Sequence, residues 1–223
     1  MTLRRGARRL LAAGALLGLL AALGPAEARN RPGDFDFYVL SLSWSPSYCA
    51  GEGDDADPMQ CASTARPFAF VVHGLWPQYT RGWPEFCQKP APFVAEPVLR
   101  AMLDIMPSRK LVLHQWRKHG TCSGLDSATY FEKVRLAQSR VTIPEEYRRL
   151  EDYRMVSPGE VAQAFRAANP GLEADMISVE CSDRRLSEVR VCMSRTFQYT
   201  ACPAVAAKAC TTDRVTMPPM RGG

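Results

Sequence analysis

The clearest period-2 pattern in the chain lies at residues 35–44, FDFYVLSLSW, where large apolar side chains alternate with small or polar ones. That alternation predicts a strand with one buried face, ended by Ser45-Pro46. Residues 68–72 form a short apolar run leading into His73, which predicts a central strand with His73 at its end. Two further strands are predicted at residues 176–181 and 187–199. Apolar residues recur at helical spacing over residues 93–106, 109–121 and 127–140. A fourth helix begins at Ser157-Pro158-Gly159-Glu160, a capping-box pattern with proline at the first helical position. Val161, Ala164, Phe165 and Ala168 make its apolar stripe, and Asn169-Pro170-Gly171 stops it. The acidic stretch 51–57 reads as a solvated loop. Residues 77–92, rich in proline and aromatics, read as a long loop able to wall a cleft. Two prolines and terminal glycines predict a frayed end over 211–223. The sum is an α+β fold, a central antiparallel sheet with helices packed to one side.

The first 28 residues alter the picture. Arg4, Arg5, Arg8 and Arg9 precede an apolar run at 10–23, and Ala26-Glu27-Ala28 supplies the small residues of a cleavage site. This is the pattern of a removable export leader, and the run falls short of the ~20 residues a membrane span needs. What remains, residues 29–223, has no internal repeat or long linker and is expected to form one domain, monomeric and without a membrane anchor. Removing four arginines and Glu27 from 28 basic and 23 acidic residues lowers the net charge from +5 to +2, so global charge selects no class of partner. With 46% hydrophobic and 23% charged residues, the composition excludes a disordered or collagenous chain. A domain of this size buries roughly 70% of its unfolded surface, so a core is possible without a metal.

Eight cysteines, Cys49, Cys61, Cys87, Cys122, Cys181, Cys192, Cys202 and Cys210, all lie beyond the leader. An even number in an exported chain implies up to four disulfides, and spacing alone leaves about 105 pairings open. A zinc site is the weaker reading, because no CxxC pair exists and no cysteine sits beside a histidine at ligand spacing.

Only three histidines occur: His73, His114 and His119. An isolated histidine is most often a packing residue, but these have telling neighbours. In LVLHQWRKHGTCSG (111–124), His114, Gln115, Lys118 and His119 share a helical arc of roughly 140°. Leu113 and Trp116 fall on the other side, where they can anchor the helix, and Arg117 points away from the arc. The histidines stand five apart without an intervening acid, and Lys118 would repel a dication, so the face does not suit a metal. A cationic two-imidazole site suits phosphodiester transesterification instead. One imidazole takes a proton, another gives one, and cations hold the charge on the phosphoryl oxygens. Trp76, Tyr79 and Trp83 follow His73 and could stack on unpaired bases at about 1–3 kcal/mol each, whereas Trp44 reads as core.

FVVHGLWPQY (70–79) and HQWRKHGTC (114–122) resemble the two active-site segments of the ribonuclease T2 family. The likeness extends to FDFYVLSLSWSPSYC (35–49) and to Tyr130-Phe131. It implies that family's fold and metal-independent, cofactor-free endonucleolytic cleavage of single-stranded RNA through a 2′,3′-cyclic phosphate, with low base specificity. Carried over by residue, it implies His119 as general base, His73 as general acid, His114 as a phosphate ligand and Lys118 as the transition-state cation. Trp76 would belong to a base-stacking site, and Gln78 falls where base contacts are expected. The cysteine pattern implies Cys49–Cys61, Cys87–Cys122, Cys181–Cys210 and Cys192–Cys202. Export places the protein in a periplasm or outside the cell.

One position departs from the family pattern: Gln115 stands where a glutamate is usual. An amide can donate a hydrogen bond to a phosphoryl oxygen but cannot ionise, and losing an anion lowers the basicity of nearby imidazoles unless another replaces it. The rival reading is a catalytically silent RNA- or partner-binding protein on the same fold. Gln115 is expected to leave the protein active with a displaced pH optimum. A Gln115→Glu variant should therefore move the pH–rate profile, and an unchanged profile would refute the displacement.

Overall fold

The computed structural model describes residues 30–220. The expected leader lies outside them, as do the last three residues. Six strands form one sheet: β1 (Phe37–Trp44), β2 (Phe70–Gln78), β3 (Arg154–Val156), β4 (Ile177–Ser182), β5 (Arg185–Met193) and β6 (Val215–Met217). β1 is central, antiparallel to edge strand β2 on one side and to β5 on the other, and β4 pairs antiparallel with β5. β6 joins the start of β5 through one parallel pairing, Arg185 opposite Thr216, and β3 pairs antiparallel with β6. The sheet is thus antiparallel apart from that single contact.

Alternation on β1 divides the sheet. Tyr38, Leu40, Leu42 and Trp44 enter the main core, under helices α4 (Arg109–Lys118), α5 (Ser127–Ser139) and α6 (Pro158–Ala168). Phe37 and Val39 join a small cluster on the opposite face with Cys192 and Cys202, and Trp76 and Val205 pack against it. Val205 lies in the short helix α7 (Pro203–Ala206), so one helix does cover the second face. The fourth sequence-predicted helix is α6, with the capping box formed: Ser157 Oγ accepts from the Glu160 amide at 3.0 Å, and Glu160 accepts from the Ser157 amide at 2.6 Å. Among the described residues no helix is long and apolar enough to cross a membrane.

Several boundaries differ from the sequence reading. Pro46 ends β1 by starting a helix, α1 (Ser45–Glu52), so the expected loop at 51–57 begins inside it and continues through a 3-10 turn to α2 (Pro58–Cys61). The helix expected over 93–106 shrinks to α3 (Glu96–Arg100), and the chain beyond it tightens into bonds such as Met102 N–H to Leu99 O. Met102 and Met106 still reach the core, so the apolar spacing reports burial rather than α-helix. β5 stops at Met193 because residues 194–198 form a turn closed by Ser194 N–H to Gln198 O.

Four disulfides join Cys49–Cys61, Cys87–Cys122, Cys181–Cys210 and Cys192–Cys202. The largest correction is at the C-terminal end. Residues 211–220 are not frayed throughout: Val215 and Met217 are fully buried, and the Trp44 indole N–H donates to Pro218 O at 3.0 Å. A chain ending at Asp213 is expected to lose about 1.5–3 kcal/mol for each of these two side chains. Its urea midpoint should fall accordingly, whereas a frayed tail would leave it unmoved.

Candidate active site

Strict alternation cannot bury Val72 and Leu75 in the same core, because they are three residues apart. β2 solves this with one extra residue. Leu42 faces Val72 and Ser41 faces Gly74, leaving His73 as the additional residue of a bulge. Val72 and Leu75 both enter the main core, while His73 and Trp76 both line a cleft of about 250 Å³. His73 therefore lies within β2, not at a strand end, and β2 runs on through Gln78 before the long loop begins.

The second wall is α4 and its 3-10 extension Gly120–Cys122. Val112 and Trp116 anchor its apolar face, and the Trp116 indole N–H donates to Pro92 O at 2.7 Å, tying the long loop to the helix. The Cys87–Cys122 disulfide ties that loop again at the helix end. His114, Gln115, Lys118 and His119 all line the cleft, and Arg117 is exposed.

Gln115 is 1% exposed, and its Oε1 accepts from the Trp76 indole N–H at 2.7 Å. The bond exists because residue 74 is glycine: a Cβ there would lie 2.2 Å from Gln115 Oε1 and 2.4 Å from Trp76 Nε1. Held this way, the indole lies 5.3 Å, centroid to centroid, from both His73 and His119. Arg190 also sits 5.3 Å from its centroid. Trp76 thus stands between two imidazoles while still lining the cleft.

The two imidazoles live in opposite surroundings. His119 is 6% exposed, its Nδ1 is buried without a hydrogen-bond partner, and burial pushes it down to about 3, helped by the charges of Lys118, His73 and His114. With Nδ1 buried, Nε2 is the ring nitrogen left to exchange a proton. His114 is more exposed and is lowered by partial burial and then by Lys118. His73, by contrast, meets the Glu188 carboxylate through Nδ1. Lys118 approaches Glu85 at 3.7 Å across the rim.

The outer residues vary. Gln78 lines the cleft but is buried, with its amide donating to Pro77 O at 3.1 Å. Trp83 is 47% exposed and lies under the Lys208 ammonium at 5.1 Å. Tyr79 is not among the residues lining the cleft. Arg190 and Lys208 line it and were missed by the sequence reading, as was Glu188 behind His73. Glu188 and Arg190 alternate with apolar residues on a strand, a signal for a polar stripe that the sequence did carry. No acid lines the cleft among the described residues.

The sequence model of the Ribonuclease T2 family matches residues 35–202. The chain belongs to the ribonuclease T2 family. A "Ribonuclease" from Aeromonas hydrophila is 35% identical to it over 188 residues, covering 81% of this chain and 83% of that one. Two solved structures share the T2 fold. An RNase-related protein from Calystegia sepium has a TM-score of 0.65 at 20% identity, over 82% of this chain and 97% of its own. RNase NT in complex with 5′-AMP has a TM-score of 0.63 at 24% identity, over 83% and 99%.

The buried T2 site carries a stability consequence. His119 is depressed from an ordinary imidazole value of 6.5 to about 3, so the unfolded chain binds the extra proton across that window and stability falls as pH drops through it. Glu188 is also depressed, from 4.5 to about 2, because the bond and charge of His73 and the Arg190 guanidinium outweigh the upward push of burial. It adds loss in the same direction at lower pH. Melting temperature is expected to decline from pH 6.5 downward in the wild type, and less steeply above pH 4.5 in a His119→Gln variant.

Proposed function

We propose that this T2-type endoribonuclease cleaves single-stranded RNA without a metal ion, by transesterification to a 2′,3′-cyclic phosphate with low base specificity. The observation that carries the reading is the pair of imidazoles spaced by Trp76 in a cleft lined by cations and, among the described residues, by no acid. His119, kept neutral by burial, takes the proton of the ribose 2′-hydroxyl as its oxygen bonds to phosphorus. His73 gives a proton to the 5′-oxygen as the phosphorus–oxygen bond breaks. His114 and Lys118 hold the phosphoryl oxygens while negative charge builds on them. The proton gained by His119 and lost by His73 balance, and later exchange with water restores both.

Trp83 and the Lys208 ammonium 5.1 Å over its ring, both lining the cleft, supply an aromatic ring and a cation to the strand on its way in. Gln78 has a smaller part than its position in the sequence implies, since its amide is buried and already bonded. Gln115 acts through Trp76. The protein works after export, as a monomer free of any membrane anchor. The leader pattern and four disulfides support that compartment.

The test uses the mature, disulfide-intact protein and a short unstructured RNA in excess EDTA, with products identified by mass. Fragments ending in 2′,3′-cyclic phosphate are expected, and His73→Ala or His119→Ala should each slow cleavage by at least ~10²-fold with RNA binding largely kept. The acid limb of kcat/KM should lie below the free-imidazole value of 6.5, toward the His119 value of about 3. Intact RNA at every pH from folded protein would instead favour a binding protein on this fold.

A further inference from the structure

The acid-free lining of the cleft hides a carboxylate one layer back, and its placement follows from strand order. β2 and β5 flank β1, so a side chain on β5 must cross β1 to reach His73. β1 presents only Ser41 and Ser43 at the crossing, opposite Arg190 and Glu188 respectively. These small side chains leave a trough, and Glu188 spans it. Its Oε1 meets His73 Nδ1 and also accepts from Ser43 Oγ at 3.4 Å. Its Oε2 accepts from Arg190 Nε at 2.9 Å and Nη2 at 2.7 Å. Arg190 Nη1 reaches Glu180 at 3.2 Å, and Glu180 accepts from Ser178 Oγ at 2.8 Å. Every member is named by the sheet register: Glu180 lies opposite Glu188, and Ser178 opposite Arg190.

From this geometry we infer that Glu188 is a positioning residue for the reaction, fixing the His73 ring with its proton on Nδ1 and leaving Nε2 to face the substrate. The inference rests on the ribonuclease reading for its catalytic meaning. An ionised carboxylate only accepts hydrogen bonds, so Nδ1 must donate. The row His73–Glu188–Arg190–Glu180 is electrically neutral when His73 is protonated and carries one net negative charge when it is not. The Glu188 carboxylate thus faces the ring that, as general acid, must carry a second proton. α4 offers no substitute, since residues 109–119 contain no acid and Gln115 is bonded to Trp76.

Other groups face the pair. His114 and Lys118 of α4 and His119 at its end line the cleft with His73, and the Arg190 guanidinium is bonded to Glu188. On the far side a polar groove shared with His73 and Glu188 brings in Glu52 of α1, Asp183 of the β4–β5 turn and Arg185 of β5. Only Glu188 touches the His73 ring through a hydrogen bond among the described residues.

Two measurements on the mature protein test this. In the wild type, long-range nitrogen–proton NMR of the imidazoles should show His73 protonated at Nδ1 on both sides of its titration. A neutral His73 carrying its proton on Nε2 alone would overturn the inference, with no variant needed. In Glu188→Gln, the alkaline limb of the kcat profile should move down by one pH unit or more, an about tenfold loss above that limb. KM should stay within about twofold, because the lost charge acts on proton delivery rather than on RNA binding. Glu188→Asp should recover part of the limb position. A folded Glu188→Gln enzyme losing the same fraction of activity at every pH would show a merely structural role and overturn the inference. The NMR arm needs no turnover, so a wild type that cleaves nothing while showing the Nδ1 proton counts against the ribonuclease reading alone.

Discussion

The register of β2 on β1 is the constraint on which the rest of the site depends. A strand of strict period 2 would place Val72 and Leu75 on opposite faces, and one of them would leave the core. The extra residue at His73 keeps both buried and puts His73 and Trp76 together on the other face. The sheet's packing and the site's geometry are thus one solution. Gly74 completes it, because the space where its Cβ would stand is filled by the Trp76–Gln115 hydrogen bond.

From that arrangement the electrostatics follow. Trp76 holds the two imidazoles apart, one sunk among apolar and cationic groups, the other backed by a carboxylate. Equal side chains thereby stand in unequal surroundings, and burial lowers the proton affinity of His119. The cations Lys118, Arg190 and Lys208 then line the cleft, Lys118 leaning toward Glu85 at the rim and Arg190 paired with Glu188 behind it. Two disulfides secure this: Cys87–Cys122 holds the long loop to the end of α4, and Cys192–Cys202 holds the segment of Val205 to β5. Burying charge in the Glu188–Arg190–Glu180 row is costly in isolation, and it is tolerated because each carboxylate oxygen of Glu188 has a partner.

The family, the sheet and the helix face of the site were legible because each is carried by local pattern. The alternation of 35–44 gave the central strand, and the spacing of His114, Gln115, Lys118 and His119 gave a shared face that does line the cleft. Helix length was less legible: Met102 and Met106 recur at helical spacing yet sit in tightened turns between Pro97 and Pro107. The C-terminal strand was masked by the prolines that follow it and by the polar residues beside Val215 and Met217, since three-residue strands carry too little pattern to declare themselves. Nearness in sequence groups Tyr79 and Gln78 with the cleft, but Tyr79 lies beyond the end of β2 and outside the lining, and Gln78 lines the cleft as a buried side chain.

By itself the sequence determined which groups are available: three histidines, a lysine beside them, an amide where an acid is usual, and eight cysteines for four bridges. It also determined where chain direction and side-chain period change, because those depend on neighbours within a few residues. Only the tertiary structure decided what stands behind each imidazole. Glu188 lies 115 residues from His73 and reaches it across a strand whose two serines are too small to block the way. Burial and charge pairing act through space, and they depend on which strands become neighbours and in what register, which no local window of the sequence contains.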